Sequence, residues 1–304
     1  RGKMQQDPDL SKKYEERYND QFNNYVPKEI PDSFVPMYFS GATHKIVLRP
    51  HQAKAAIRGT TQNVLLAHEV GSGKTFTLIS TAMEMRRLGT ARKPMVVVQN
   101  ATVGQFVSSA KFLYPNAKIL TIESKDRNAE GRKAFYAKIK YNDWDMVVIP
   151  QSVLDMIPDS EERQLAFVQA KIAEKEQVLR QMSEADVDDP IMMRRAQKEL
   201  ETLQEEMNTL SEQVAEKKKD SKKAAVARQN AKVRAEQMLD RKVDDVANFD
   251  DMGIDALLVD EAHEYKHLGF ATAMQRGVKG VDPSYSKKCQ GLYLKCQSVM
   301  EKTG

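Results

Sequence analysis

Cysteine is scarce in this chain: 304 residues contain only Cys289 and Cys296. Both fall on a predicted C-terminal helix, where a spacing of seven residues at 1.5 Å each separates their Cα atoms by ~10 Å, too far for a disulfide. No four-ligand zinc spacing exists either, so the cysteines imply reduced thiols in a cytoplasmic protein. Long apolar runs are also missing. With no stretch of about 18 apolar residues and no N-terminal signal peptide, neither membrane insertion nor export is indicated. An excess of one charge is lacking too: 47 basic against 43 acidic residues leave a net charge of +4, too small to identify a nucleic-acid partner.

What is present is one good core's worth of apolar residues, 41% of the chain, and a 30% charged fraction concentrated in the middle. The apolar run over residues 63–67 reads as a buried parallel strand, and residues 75–88 carry apolar side chains at helical spacing. Between them lies Ala67-His68-Glu69-Val70-Gly71-Ser72-Gly73-Lys74-Thr75. Strand, glycine loop and helix in that order form a phosphate cradle. Gly71 and Gly73 let backbone N–H groups turn toward phosphate oxygens, and the helix N-terminus adds partial positive charge. Val70 and Ser72 complete the loop; Lys74 would reach the β- and γ-phosphates and Thr75 would ligate Mg²⁺. The first glycine of the usual pattern is replaced by His68.

A second apolar run, Asp255-Ala256-Leu257-Leu258-Val259, ends in Asp260 and Glu261. Acids there would lie at the carboxyl edge of an α/β sheet, where such sheets bind ligands. Asp260 would hold Mg²⁺ through water and Glu261 would polarise the attacking water. The two motifs together predict a site for ATP and Mg²⁺, with Lys74, Asp260 and Glu261 as catalytic residues.

These motifs, with Leu48-Arg49-Pro50-His51-Gln52 upstream and Asp260-Glu261-Ala262-His263 followed by Lys266 downstream, resemble superfamily 2 helicases, specifically the Swi/Snf-type DNA translocases. The resemblance is closest to large helicase-like proteins of phages and conjugative elements, which often sit beside an adenine DNA methylase region. It covers residues 46–158 and 247–304, and it implies a RecA-like ATPase lobe acting on double-stranded DNA. Gln52 then matches the glutamine that reads the adenine edge, with Arg49 and His51 beside it. Residues 95–106 resemble motif Ia, whose loop touches the DNA backbone and includes Thr102 and Gln105. Residues 145–152 resemble the next strand and its DNA-facing loop, with Ser152 a phosphate contact. His263 matches the residue that couples hydrolysis to the second lobe, and joins the catalytic set only through this resemblance. No motif III and no arginine-bearing second RecA-like lobe follows, and the chain begins at Arg1. The expectation is therefore a fragment: the first motor lobe of a longer enzyme, binding nucleotide weakly and hydrolysing it slowly.

Strands are predicted near 64–67, 95–99, 117–123, 145–150 and 256–260, with helices near 49–58, 75–88, 102–113, 127–140 and 286–301. This alternation predicts an α/β fold with a parallel sheet and right-handed crossovers. The lobe is divided into residues 46–159 and 247–304 by an insertion over 160–246. Met193, Ala196, Leu200, Leu203, Met207, Leu210 and Val214 alternate spacings of three and four, the seam of a coiled coil, and Leu165, Val168, Ile172, Leu179 and Met182 form a similar seam earlier. With Asp186-Val187-Asp188-Asp189-Pro190 between them, an antiparallel helical hairpin is predicted, each arm ~40 Å long. A third helical stretch, 219–243, is basic and either grips phosphates or presents a solvated face. Residues 1–45 form an N-terminal helix with an aromatic stripe, Tyr14, Tyr18, Phe22 and Tyr25, followed by a proline-containing linker.

Two other functional classes fit parts of the pattern. An SMC-type structural ATPase also places a coiled coil between phosphate loop and acids, but no Leu-Ser-Gly-Gly-like signature precedes Asp260. In a nucleotide-switched interaction module, the helical insertion would recruit a partner.

Overall fold

The computed structural model describes residues 12–14, 17, 30–184, 190–231, 248–269 and 286–303. Its centre is a four-stranded sheet of β1 (Pro94–Val98), β2 (Ile119–Thr121), β3 (Met146–Pro150) and β4 (Ala256–Val259), ordered β2-β3-β1-β4. Every pairing is parallel, with Val96 opposite Val148 on one side and Leu258 on the other. All five residues of both β1 and β3 are buried. Unbroken apolar strands of this kind need a helical layer on each face, because neither face meets water.

The strand period of two divides the side chains between those layers. Val96, Val98, Met146 and Val148 face helices α1 (Pro50–Gly59), α2 (Lys74–Leu88) and α3 (Val103–Leu113), where Ala53, Ala56, Ile79, Ala82, Phe106 and Ala110 meet them. Met95, Val97, Val147 and Ile149 face α4 (Ala129–Tyr141), the short α5 (Gln151–Leu154) and α8 (Lys287–Thr303), through Phe135, Ile139, Val153, Leu154 and Leu292. Each fully buried valine contributes about 1.5–3 kcal/mol by leaving water. The local signals agree: Pro50 occupies the first turn of α1, and the Asn128 side chain accepts the Gly131 N–H at 2.7 Å to start α4.

The run over 63–67 is not a strand. Leu65 is 82% exposed, and only Leu66 reaches the core. Hydropathy marks a segment able to be buried, but a strand also needs a neighbour to pair with. β4 is hydrogen-bonded only to β1, so it forms one edge of the described sheet. β2 is likewise shorter than predicted.

Two long helices, α6 (Glu161–Glu184) and α7 (Pro190–Ala231), stand between β3 and β4 in sequence. Val168, Ile172 and Leu210 are buried where the two helices meet, flanked by Leu165, Leu200, Leu203 and Met207, and Lys175 pairs with Glu199. At 1.5 Å per residue α7 extends ~63 Å, longer than the predicted arm, because it runs unbroken past residue 219 where a separate third helix was expected. The basic side chains from Lys217 to Arg234, and Tyr18, Phe22 and Tyr25 of the aromatic stripe, lie outside the described residues. The base of α6 is fixed to α8 by Arg163 with Glu301 at 2.9 Å and by Phe167 against Tyr293 at 5.7 Å. Among the described residues no helix is long and apolar enough to cross a membrane.

Candidate active site

The glycine loop leads directly into α2. Gly71 and Gly73 both adopt φ of +83°, a left-handed conformation that other residues enter at a cost of roughly 1–2 kcal/mol. Lys74, the first residue of α2, turns its ammonium back onto the loop and donates to the carbonyls of His68 at 3.1 Å and Glu69 at 3.3 Å. These carbonyls fold the lysine side chain back onto the loop. Thr75 follows in the same first turn, half-buried, and Val70 at the loop tip is fully open to solvent.

α1 clamps the loop from the side. The buried Gln52 side chain donates through Nε2 to the carbonyls of Ser72 at 2.9 Å and Gly73 at 3.3 Å, while its Oε1 accepts the Arg49 N–H at 2.9 Å. His51 Nε2 lies 3.1 Å from the Ser72 carbonyl, and the His51 and His68 rings meet edge-on at 5.5 Å. The structure thus brings Arg49, His51 and Gln52 together with the loop, and here the Gln52 amide is occupied by loop carbonyls.

Asp260, just past the end of β4, is tied to β1 by its N–H donating to the Val97 carbonyl at 2.8 Å. Burial, and then the neighbouring Glu261 charge, push its carboxyl above the usual carboxylate range, against the opposing pull of Lys74. Glu261 has φ of 55°, the one non-glycine residue with positive φ among those described. His263 Nδ1 lies 3.1 Å from Glu261 Oε2 and its Nε2 lies 3.7 Å from Glu264 Oε1, leaving the ring 65% exposed. A half-buried carboxylate beside a second carboxylate suits a divalent cation, whose charge would relieve both burial and repulsion. Among the described residues no group of three or more His, Cys, Asp or Glu could hold a metal by itself. Thr75 and Asp260 offer a hydroxyl and a carboxylate oxygen, donors of the kind Mg²⁺ would take together with water.

The residues predicted to meet DNA form a separate patch on the carboxyl edge of the sheet. Ser152 Oγ donates to Asn100 Oδ1 at 2.9 Å, joining the loop after β1 to the loop after β3. Thr102 Oγ1 donates to the Gln99 carbonyl at 3.1 Å, and Gln105 is exposed on α3. Asn100, which ties the two loops, was not singled out from sequence; a polar residue closing an apolar strand was its one signal.

Residues 59–229 and 191–304 match a family described as "Probable helicase domain". The chain belongs to this helicase-domain family. The matched region includes the glycine loop, the acidic turn and the helices between them. Among solved structures, the helicase domain is similar to the "Sulfolobus solfataricus SWI2/SNF2 ATPase core in complex with dsDNA", at 18% identity over 40% of this chain and 24% of that chain, with a TM-score of 0.32. No curated protein matches the chain.

Proposed function

We propose that this helicase domain is the ATP-binding first motor lobe of a Swi/Snf-type helicase or translocase working on double-stranded DNA. The observation that carries this reading is the left-handed Gly71–Gly73 loop opening α2 at Lys74 and Thr75, together with the paired acids Asp260 and Glu261 at the end of β4. In this reading ATP phosphates replace the His68 and Glu69 carbonyls as partners of Lys74, and loop N–H groups receive the remaining phosphate oxygens. Thr75 and Asp260 hold Mg²⁺, which neutralises phosphate charge. Glu261 orients the attacking water, with His263 fixing its carboxylate. Arg49, His51 and Gln52 flank the adenine side. Asn100, Thr102, Gln105 and Ser152 face the duplex backbone, and His263 relays the state of the site to a second RecA-like lobe. The paired α6 and α7 form a coiled-coil insertion.

Titration with a fluorescent ATP analogue tests the reading. Binding should require Lys74 and strengthen with Mg²⁺, and duplex DNA should alter it. A Lys74→Ala protein that bound the analogue like wild type would sink the proposal.

A further inference from the structure

Helix α8 begins with Lys287 and Lys288 and carries no acid in its first turn. Cations at a helix N-terminus oppose the helix dipole, so a lysine kept there needs other partners. Among the described residues Lys288 has several: its Nζ lies 3.3 Å from Gln151 Oε1, 3.9 Å from Glu264 Oε2 and 4.5 Å from the centre of the Tyr265 ring, and its charge also acts on Asp155. Gln151, buried at the end of β3, turns its other end to the acidic strand, with Nε2 3.4 Å from the Asp260 backbone carbonyl. The amide orientation is chemically determined, since an ammonium can only donate and a carbonyl can only accept. Lys288 therefore reaches both ends of the turn containing Asp260 and Glu261: one end through Gln151, the other through Glu264 and Tyr265. Between those ends sits Glu261 in its left-handed conformation, which persists only where surrounding contacts over-determine it.

We propose that Lys288 is a positioning residue for the acidic turn, acting through Gln151 and the Glu264–Tyr265 pair to hold Asp260 where Mg²⁺ binds. This rests on the ATP and Mg²⁺ reading of the site. Lys288 touches neither the glycine loop nor any candidate DNA-contacting residue in the contacts described, so its effect should appear in metal dependence rather than in metal-free nucleotide binding.

The test is a Mg²⁺ titration of wild type, Lys288→Met, Lys288→Arg and Gln151→Glu, each with a methylanthraniloyl-labelled ATP probe, beside metal-free binding in chelator. Lys288→Met should raise the Mg²⁺ midpoint by about tenfold, the low end for a partner that acts behind a metal ligand. Metal-free affinity should hold. Lys288→Arg, which can still donate to Gln151 and lie on Tyr265, should return the midpoint toward wild type. Gln151→Glu keeps a partner for Lys288 but loses the donor to Asp260, and should shift the midpoint as Lys288→Met does. A folded Lys288→Met protein with the wild-type midpoint overturns the inference. If that variant melts at the assay temperature, Gln151→Glu decides: a shifted midpoint supports the proposal and an unshifted one overturns it. A wild type that binds no probe with Mg²⁺ removes the ATP reading and the inference with it.

Discussion

Gln52 and Gly73 are in such close approach that a Cβ added at Gly73 would lie 2.0 Å from Gln52 Nε2. The clamp from α1 onto the glycine loop therefore depends on the absence of a side chain at that position. Gly73 also needs its φ of +83°. A Gly73→Ala protein should weaken nucleotide binding, because either the Gln52 amide or the loop must give way and the clamp between them is lost. It should also lose at least about 1–2 kcal/mol of stability from the backbone conformation alone. Thermal melting and probe titration on the same sample check both effects.

The same pair shows where sequence reading succeeds and where it stops. Glycine spacing and the helix after it located the loop, because those are local properties of consecutive residues. The buried strands β1 and β3 were legible for the same reason: five apolar residues in a row, bounded by polar ones. Residues 63–67 have the same hydropathy yet form no strand, since pairing depends on a neighbour that hydropathy does not report. Gln151 and Lys288 are 137 positions apart, and their meeting depends on how α8 returns to the sheet. The unbroken course of α7 was likewise hidden, because a cluster of lysines within a helix looks like a boundary although lysine has good helix propensity.

Asp260 offers a pH-dependent test. Its folded carboxyl is raised above the ordinary aspartate value of 3.8 by burial and by Glu261, so the native state holds this proton more tightly than the unfolded chain. Stability from this group is greatest below 3.8 and declines as pH rises through the folded value, the reverse of a salt-bridged aspartate. At neutral pH the ionised Asp260 should therefore be a liability in the absence of Mg²⁺. Asp260→Asn should raise the melting temperature of metal-free protein at pH 7, with the gain shrinking toward pH 4, and should abolish any further rise on adding Mg²⁺ with ATP. Melting curves across pH, with and without MgATP, would contradict this if the variant were less stable than wild type when metal-free.

Asn100 joins the loops after β1 and β3 through Ser152. In the motor reading these loops lie on the duplex backbone, so freeing one from the other should weaken DNA binding without touching the nucleotide. Asn100→Ala should reduce affinity for a short duplex several-fold, with the slope against salt nearly unchanged because no charged contact is removed. Fluorescence anisotropy at several salt concentrations reads both quantities, and probe affinity on the same protein should match wild type.

The most buried charge among the described residues ties α8 to the segment just before α6. Lys295 on α8 is 1% exposed and lies 3.0 Å from Asp159, just before α6. Burial pushes the Asp159 carboxyl up, and Lys295 only partly offsets that rise. Beside it, burial pushes Asp250 in the same direction, but hydrogen bonds from Ser298, Arg163 and Ser160 together with the Arg163 charge outweigh it and hold that carboxyl low. Removing one partner of a buried pair leaves an uncompensated charge, which costs about 3–5 kcal/mol. Replacing both with apolar residues leaves none. Lys295→Met should thus be strongly destabilising in urea unfolding, and Asp159→Leu combined with it should recover most of the loss. If the double variant were instead as unstable as the single one, the pair would have to matter as a specific ionic contact between α8 and the base of α6 rather than as two charges that tolerate burial only together.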